Sequence, residues 1–201
     1  MNIQPVTLTA PLVRLEPLAE AHLPDLAAVG LDERIWRYMR YGNIHTEAQM
    51  RTWVQLLLEL QKAGSDLPFV VIWLPTGRAV GCTRYMNISL EHRALEIGGT
   101  WYGTEYQGTL VNPSCKYLLL THAFERLGCI RVQFKTDRRN ERSQRAIERL
   151  GAVKEGTLRN HMLLEDGTLR DSVFYSILPG EWPPIKARLE AILGLQSYER
   201  A

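Results

Sequence analysis

The segment from Gln107 to Phe124, QGTLVNPSCKYLLLTHAF, constrains this chain most. It reads as a loop that feeds directly into a buried helix near the middle of the sequence. Asn112 suits the N-cap, because its side-chain oxygen can accept from an orphan amide of the first turn. Pro113 follows where a fixed φ helps and a missing N–H costs nothing. Leu119, Leu120, Ala123, Phe124 and Leu127 recur at helical spacing, and Gly128 can end the helix at positive φ. Such a terminus carries free amides and the positive end of the helix dipole. It is therefore either a plain structural cap or an anion site.

Strand patterns surround this helix. Leu12 to Leu18 alternates Leu12, Arg14 and Glu16 against Val13, Leu15 and Pro17. Ala19 to Val29 predicts a short helix. Thr46 to Ala63 predicts a longer one, with Thr46 as N-cap and Met50, Trp53, Val54, Leu57, Leu58 and Leu60 on its apolar side. Between them, IWRYMRYGNI reads as a loop whose aromatics either pack the two helices or wall an acceptor pocket. FVVIWL and AVGCTRYMNISL, joined by the turn Pro75-Thr76-Gly77, form a hairpin. RALEIGGTWY is a third strand with Glu96 near its middle, and RVQFKTD is a strand after the central helix. Asn140 to Leu150 predicts a capped helix stopped by Gly151. Val153 to Leu163 and Leu169 to Leu178 predict strands around the turn Glu165-Asp166-Gly167, and EWPPIKARLEAIL a last helix, residues 183–195. This order implies an α+β fold with a mixed, mainly antiparallel sheet flanked by helices.

Charge is unevenly spread. The net charge is +2, yet Arg126 to Arg159 holds ten Lys/Arg against four Asp/Glu. A solvated helix face or a site for a small anionic ligand explains this; no aromatic interleaving or recognition helix points to nucleic acid. Cys82, Cys115 and Cys129 form no C-x-x-C pair, so structural zinc or another metal site is not expected. No apolar run is long enough for a membrane span. With no basic and apolar leader in MNIQPVTLTAPLVRLEPL and an odd cysteine count, the expected compartment is the cytoplasm.

Three stretches carry a more specific likeness: LEIGGTWYGTEYQG, KYLLLTHAFERLG and RVQFKTDRRNERSQRAIERLGAVKEGTLR. Together with DGTLRDSVFYSIL followed by EWP, they resemble the GNAT superfamily of acyl-CoA-dependent N-acyltransferases, and within it the RimJ/RimL-type branch. The likeness runs from about Leu12 to Pro184, implying one domain over residues 1–201. It implies the GNAT fold and transfer of an acetyl or short acyl group from acyl-CoA to a primary amine. The acceptor would be a protein N-terminal α-amine or a small amine, attacking directly in a ternary complex. No metal is implied, and a homodimer is left open, with the hairpin strands and the last helix as candidate surface.

In that family the pyrophosphate loop reads Gln/Arg, two residues, Gly, one residue, then Gly or Ala. Here the same positions are Gln107, Gly108, Thr109, Leu110, Val111 and Asn112, so only the first matches. Small residues let backbone amides close on a phosphate. Their loss either weakens acyl-CoA binding or makes the loop approach differently, with the Thr109 and Asn112 side chains sharing the contact.

The resemblance also implies site residues. Glu96 stands on the strand that faces the acetyl group and is the candidate base, direct or through water; its flanking Leu95 and Ile97 point to the other face and offer no charge partner. A carboxylate anchoring a neighbouring strand is the competing role. The amide of Gly98 or Gly99 is a candidate oxyanion donor, or the glycines mark an ordinary bulge. Ser143 matches the serine of the RimL branch that meets the leaving thiolate. Asn140 matches the Asn near the pantetheine arm. Ile147 occupies the position where many relatives carry a catalytic tyrosine. Of Arg138, Arg139, Arg142 and Arg145, the last two are the candidates for the nucleotide phosphates. His161 and Tyr175 read as structural, and Cys115 as core rather than an acyl carrier. A non-catalytic acyl-CoA-binding protein on the same fold is the alternative. An α-amine, with a reference pKa of ~7.7–8.0, is partly neutral near pH 7, whereas a lysine amine at ~10.4 is not, so a modest base suits an N-terminus.

Overall fold

β3 (Leu67–Trp73) is buried at nearly every residue, which demands cover on both faces of a sheet. The computed structural model describes residues 1–195 and supplies that cover with helices on either side. The strands are β1 (Leu8–Thr9), β2 (Val13–Pro17), β3, β4 (Arg78–Ser89), β5 (Ala94–Tyr102), β6 (Arg131–Asp137), β7 (Val153–Leu163) and β8 (Leu169–Ile177). They form one eight-stranded sheet in the order β1-β2-β3-β4-β5-β6-β8-β7. Among the described residues β5 and β6 make the one parallel pair, and every other neighbouring pair is antiparallel. The mixed, mainly antiparallel sheet expected from the sequence is therefore present.

On one face lie α1 (Leu23–Gly30), the short α2 (Glu33–Trp36) and α3 (Glu47–Lys62). Trp36, Trp53 and Trp101 meet there edge-on or tilted, with centroids 5.3–5.8 Å apart. The Trp36 end of IWRYMRYGNI thus packs the helices. α3 starts at a capping box in which Thr46 Oγ1 accepts from the Gln49 amide and Gln49 Oε1 from the Thr46 amide.

On the other face lie α4 (Val111–Thr121), α5 (Glu141–Leu150) and α6 (Trp182–Leu193). Cys115, Leu119, Ile147, Leu150, Ile185 and Leu189 share a core there with Leu95, Ile97, Val132 and Phe134. α4 corrects one expectation. Its first residue is Val111, whose side chain is fully buried, so the helix begins before Asn112 rather than after it. Asn112 becomes the second helical residue, and its Oδ1 accepts from the Tyr102 hydroxyl at 3.1 Å instead of capping. Pro113 is third rather than first, where its missing N–H is still one of the unpaired donors. α5 follows its sequence reading: Asn140 Oδ1 accepts from the Ser143 amide at 3.0 Å, and Gly151 closes the helix at φ +96°.

β5 and β6 set up the site. They pair only at Ala94↔Arg131, Leu95↔Val132 and Glu96↔Gln133, although β5 runs on to Tyr102 and β6 to Asp137. Beyond Glu96 the two strands part. A bulge on β5 contributes to this: Gly98 lies opposite Arg84 and Trp101 opposite Cys82, three steps against two. Gly99 sits in the bulge at φ +56°, and a Cβ there would lie 2.7 Å from Arg84 Nε. Glycine is required at this position both by conformation and by space.

Candidate active site

Parallel strands that separate leave a crevice at their carboxyl ends, and helices that follow such strands point their N-termini into it. That is the arrangement here. α4 begins shortly after the end of β5 and α5 shortly after the end of β6, so two dipole ends flank one opening.

Glu96 stands where the strands part, 2% exposed. Its Oε2 accepts from Asn87 Nδ2 at 2.9 Å and Gln133 Nε2 at 3.0 Å, with Lys135 Nζ at 3.5 Å. The sequence offered it no charge partner; parallel pairing with β6 brings one. A residue's same-face neighbours on the next strand are invisible until the register is known. Asn87 reaches Glu96 from a left-handed backbone conformation, φ +49°, which asparagine tolerates better than most residues. Oε1 accepts from none of the described residues. It faces Gly98, where an added Cβ would lie 3.1 Å from it and 2.7 Å from Met86 Sδ. One carboxylate oxygen is therefore tethered and the other is directed at the bare stretch of β5.

The same face gathers further charge. Arg170, 7% exposed, donates to the Tyr38 carbonyl at 3.2 Å and lies 3.9 Å from Asp137. His161 Nδ1 pairs with Ser172 Oγ at 3.0 Å. Burial, with Lys135 and Arg170 nearby, lowers the His161 pKa. Arg84, 1% exposed, faces Asp66 with Nε 3.2 Å from Oδ2 and donates to the Tyr41 hydroxyl. The Tyr38–Tyr41 part of the aromatic loop thus borders the bulge.

On the α4 side, the loop that departs from the family pattern is open. Gly108 sits at φ +79° with nothing within 4 Å of a notional Cβ, and Leu110 is 41% exposed. Thr109 Oγ1 donates to the Tyr106 carbonyl at 2.7 Å and accepts from the Val111 amide at 3.3 Å. Gln107 Nε2 donates to the Tyr102 carbonyl at 2.9 Å, pinning the end of β5. The Thr109 hydroxyl proton is therefore engaged within the protein, as is Asn112 Oδ1, while no hydrogen bond engages Asn112 Nδ2 among the described residues. Among the described residues, no hydrogen bond engages the amides of Gly108, Thr109, Leu110 or Asn112.

At α5 the Ser143 side chain is half-buried, and its hydroxyl meets no partner among the described residues. Arg145 is exposed and paired with Glu141 at 3.1 Å, Arg138 with Asp171 at 3.4 Å and Arg139 with Asp137 at 2.8 Å. Arg142 is exposed and forms no ion pair with a described residue. Tyr175 is core, its hydroxyl donating to Glu148 at 3.0 Å. Cys115 is fully buried and its thiol is pushed up to about 12 by burial, so it is inert as a nucleophile.

Sequence reading missed Lys116. It is 8% exposed, on α4, and its ammonium donates to Thr100 Oγ1 at 3.2 Å. It lies 5.9 Å from the centroid of the Phe134 ring. Thr100 is on β5 and Phe134 on β6, so the lysine reaches into the gap between them. No carboxylate among the described residues pairs with it, and burial lowers its pKa to about 8. The signal was present: a lysine embedded in the apolar run of a core helix is rarely buried without reason.

Residues 13–153 match the family described as Acetyltransferase (GNAT) domain. YdaF of Bacillus subtilis (strain 168), named a putative ribosomal N-acetyltransferase, is 34% identical over 107 residues, which cover 53% of this chain and 57% of that protein. The match thus spans little more than half of YdaF. A crystal structure of a putative acetyltransferase from T. thermophilus is 42% identical, covering 96% of this chain and 100% of that one, with a TM-score of 0.87. Mycobacterium smegmatis RimJ in complex with CoA-disulfide has a TM-score of 0.79 at 22% identity, covering 94% of this chain and 95% of that one, a likeness of fold. This chain belongs to the acetyltransferase (GNAT) domain family.

Proposed function

We propose that the chain is one catalytic domain that transfers an acetyl or other short acyl group from acyl-CoA to a primary amine. A protein N-terminal α-amine or a small amine is the acceptor. The observation that carries this reading is the parting of β5 and β6, with Glu96 at its apex and two helix N-termini at its mouth.

Each residue then has a physical task. The free amides of Gly108, Thr109, Leu110 and Asn112 suit the pyrophosphate, with Gln107 and Val111 holding the loop in shape. Leu110 turned to solvent leaves those amides accessible, so loss of the family's glycines does not close the site. Asn140 orders the first turn of α5 through the Ser143 amide, and the Ser143 hydroxyl there, unpartnered among the described residues, suits a contact to the pantetheine arm and sulfur. Arg142, and less directly the paired Arg145, suit the nucleotide phosphates. Glu96 takes the proton of the amine through Oε1, while its anchored Oε2 fixes the carboxylate's orientation. The glycines at 98 and 99 let the thioester approach the strand, where the Gly98 or Gly99 amide is the candidate donor to the oxyanion.

Isothermal titration with acetyl-CoA and with succinyl-CoA tests the reading, followed by an amine and N-terminal-peptide screen. Wild type is expected to bind, and Asn112→Asp to weaken binding at least about tenfold by setting a negative charge beside the amide row. No binding of either thioester overturns the proposal. Binding without turnover on any amine replaces it with the non-catalytic acyl-CoA-binding reading, which the departures at Leu110 and Ile147 would then explain.

A further inference from the structure

Lys116 is a buried cation for which the family pattern has no assigned use. Strand alternation fixes its place. Leu95 and Ile97 of β5 and Val132 and Phe134 of β6 face the α4 core, so Glu96, Gln133 and Lys135 face the opposite side. Lys116 descends from α4 onto Phe134 and Thr100, so it approaches the gap from the face that Glu96 does not. Thr100 Oγ1 is in turn bonded to Thr83 Oγ1 at 2.8 Å, so among the described residues the ammonium's side-chain hydrogen-bond partner is a neutral hydroxyl. Burying an ammonium against a hydroxyl and an aromatic ring is costly unless an anion joins it at some stage.

Resting on the acyl-CoA reading above, we propose that Lys116 is a catalytic residue, the acid that protonates the departing CoA thiolate. In the step the amine nitrogen forms a bond to the acyl carbon and the carbon–sulfur bond breaks, its electron pair going to sulfur. The Lys116 ammonium gives sulfur a proton, leaving a neutral lysine and the CoA thiol. The proton lost by the amine passes to Glu96 and from there to solvent, and solvent reprotonates Lys116. Nothing is oxidised or reduced. Ser143 can hydrogen-bond the sulfur, but a neutral hydroxyl is too weak an acid to supply this proton. The Lys116 pKa of about 8 is close to that of a thiol, which is where proton transfer to a thiolate is most effective.

The test uses the full chain, with CoA itself as probe. The thiolate absorbance of bound CoA is titrated against pH in wild type, Lys116→Met and Lys116→Arg, beside the affinity for CoA and the pH profile of kcat. In wild type the bound thiol is expected to ionise at least about one unit below the free thiol. Lys116→Met should abolish that shift, leave the CoA affinity within about threefold and lower kcat by about 10²-fold or more. Lys116→Arg should keep the shift, because the charge remains, while kcat stays low, because arginine does not release its proton. An unshifted thiol in wild type, or a shift that survives Lys116→Met, overturns the proposal while leaving acyl-CoA binding intact. Failure of wild type to bind CoA would overturn the acyl-CoA reading and this proposal with it.

Discussion

Lys116 and Glu96 enter the gap between β5 and β6 from opposite faces of the sheet, one from the core of α4 and the other from the side of Lys135. Their settings differ as sharply as their charges. Glu96 is held by two amides and an ammonium through one oxygen, whereas Lys116 meets a hydroxyl and a ring. Two titratable groups placed in contrasting environments around one crevice are the usual arrangement for separate acid and base duties.

Glu96→Gln keeps the shape and removes the base. The expected result is a fall in kcat of about 10²- to 10³-fold, with acyl-CoA affinity within about twofold of wild type. Steady-state kinetics beside calorimetry decide it. Unchanged kcat would make Glu96 an anchor for β6 through Gln133 and Lys135.

Lys116→Met is expected to make the protein more stable. The folded lysine has a pKa of about 8 against 10.5 for an ordinary lysine, so the unfolded chain binds more protons between those values. Wild-type stability therefore carries its full penalty below about pH 8 and recovers as pH rises toward 10.5. By linkage the penalty is on the order of 3 kcal/mol. Urea unfolding near neutral pH should show the variant gaining up to that amount, and the gain should shrink in alkaline buffer. A destabilised variant at neutral pH would count against the buried, uncompensated charge.

Gly99→Ala combines positive φ with a side chain driven into Arg84. A loss of stability of about 1–3 kcal/mol is expected. Because the bulge shapes the opening between β5 and β6, the KM for acyl-CoA should rise with it. Thermal melts and kinetics on the same preparation would show whether the two effects travel together.

The cysteines are expected to be unreactive in the native state. Burial pushes the thiols of Cys82 and Cys115 up to about 12 and that of Cys129 up to about 11. An alkylating reagent near pH 8 should label the denatured chain and leave the folded one largely unmodified. Rapid labelling of Cys115 in the folded protein, or an acylated Cys115 after mixing with acetyl-CoA, would contradict direct transfer.

Local order was legible wherever it depends on near neighbours in the chain. The Thr46–Gln49 box, the Asn140 cap with Gly151 closing the helix, and the alternation of β5 and β6 each follow from residues within a few positions. Glu96, Gly98, Asn140 and Ser143 are candidates chiefly through the family resemblance of the stretches that hold them, and of the four Asn140 is also readable locally, as a cap. Tertiary structure decided what those residues touch. Val111 is drawn into the core and starts α4 early, so burial outweighed the capping preference of Asn112. Glu96 gains Gln133 and Lys135 only because β6 returns parallel to β5 in one particular register. Lys116 reads from sequence as a charge on a helix. It becomes a cation between two strands because α4 lies over the place where they part. Sequence carries the short-range terms, periodicity and capping; the charge pairs of the site are long-range, and their energies exist only once the sheet register brings distant residues together.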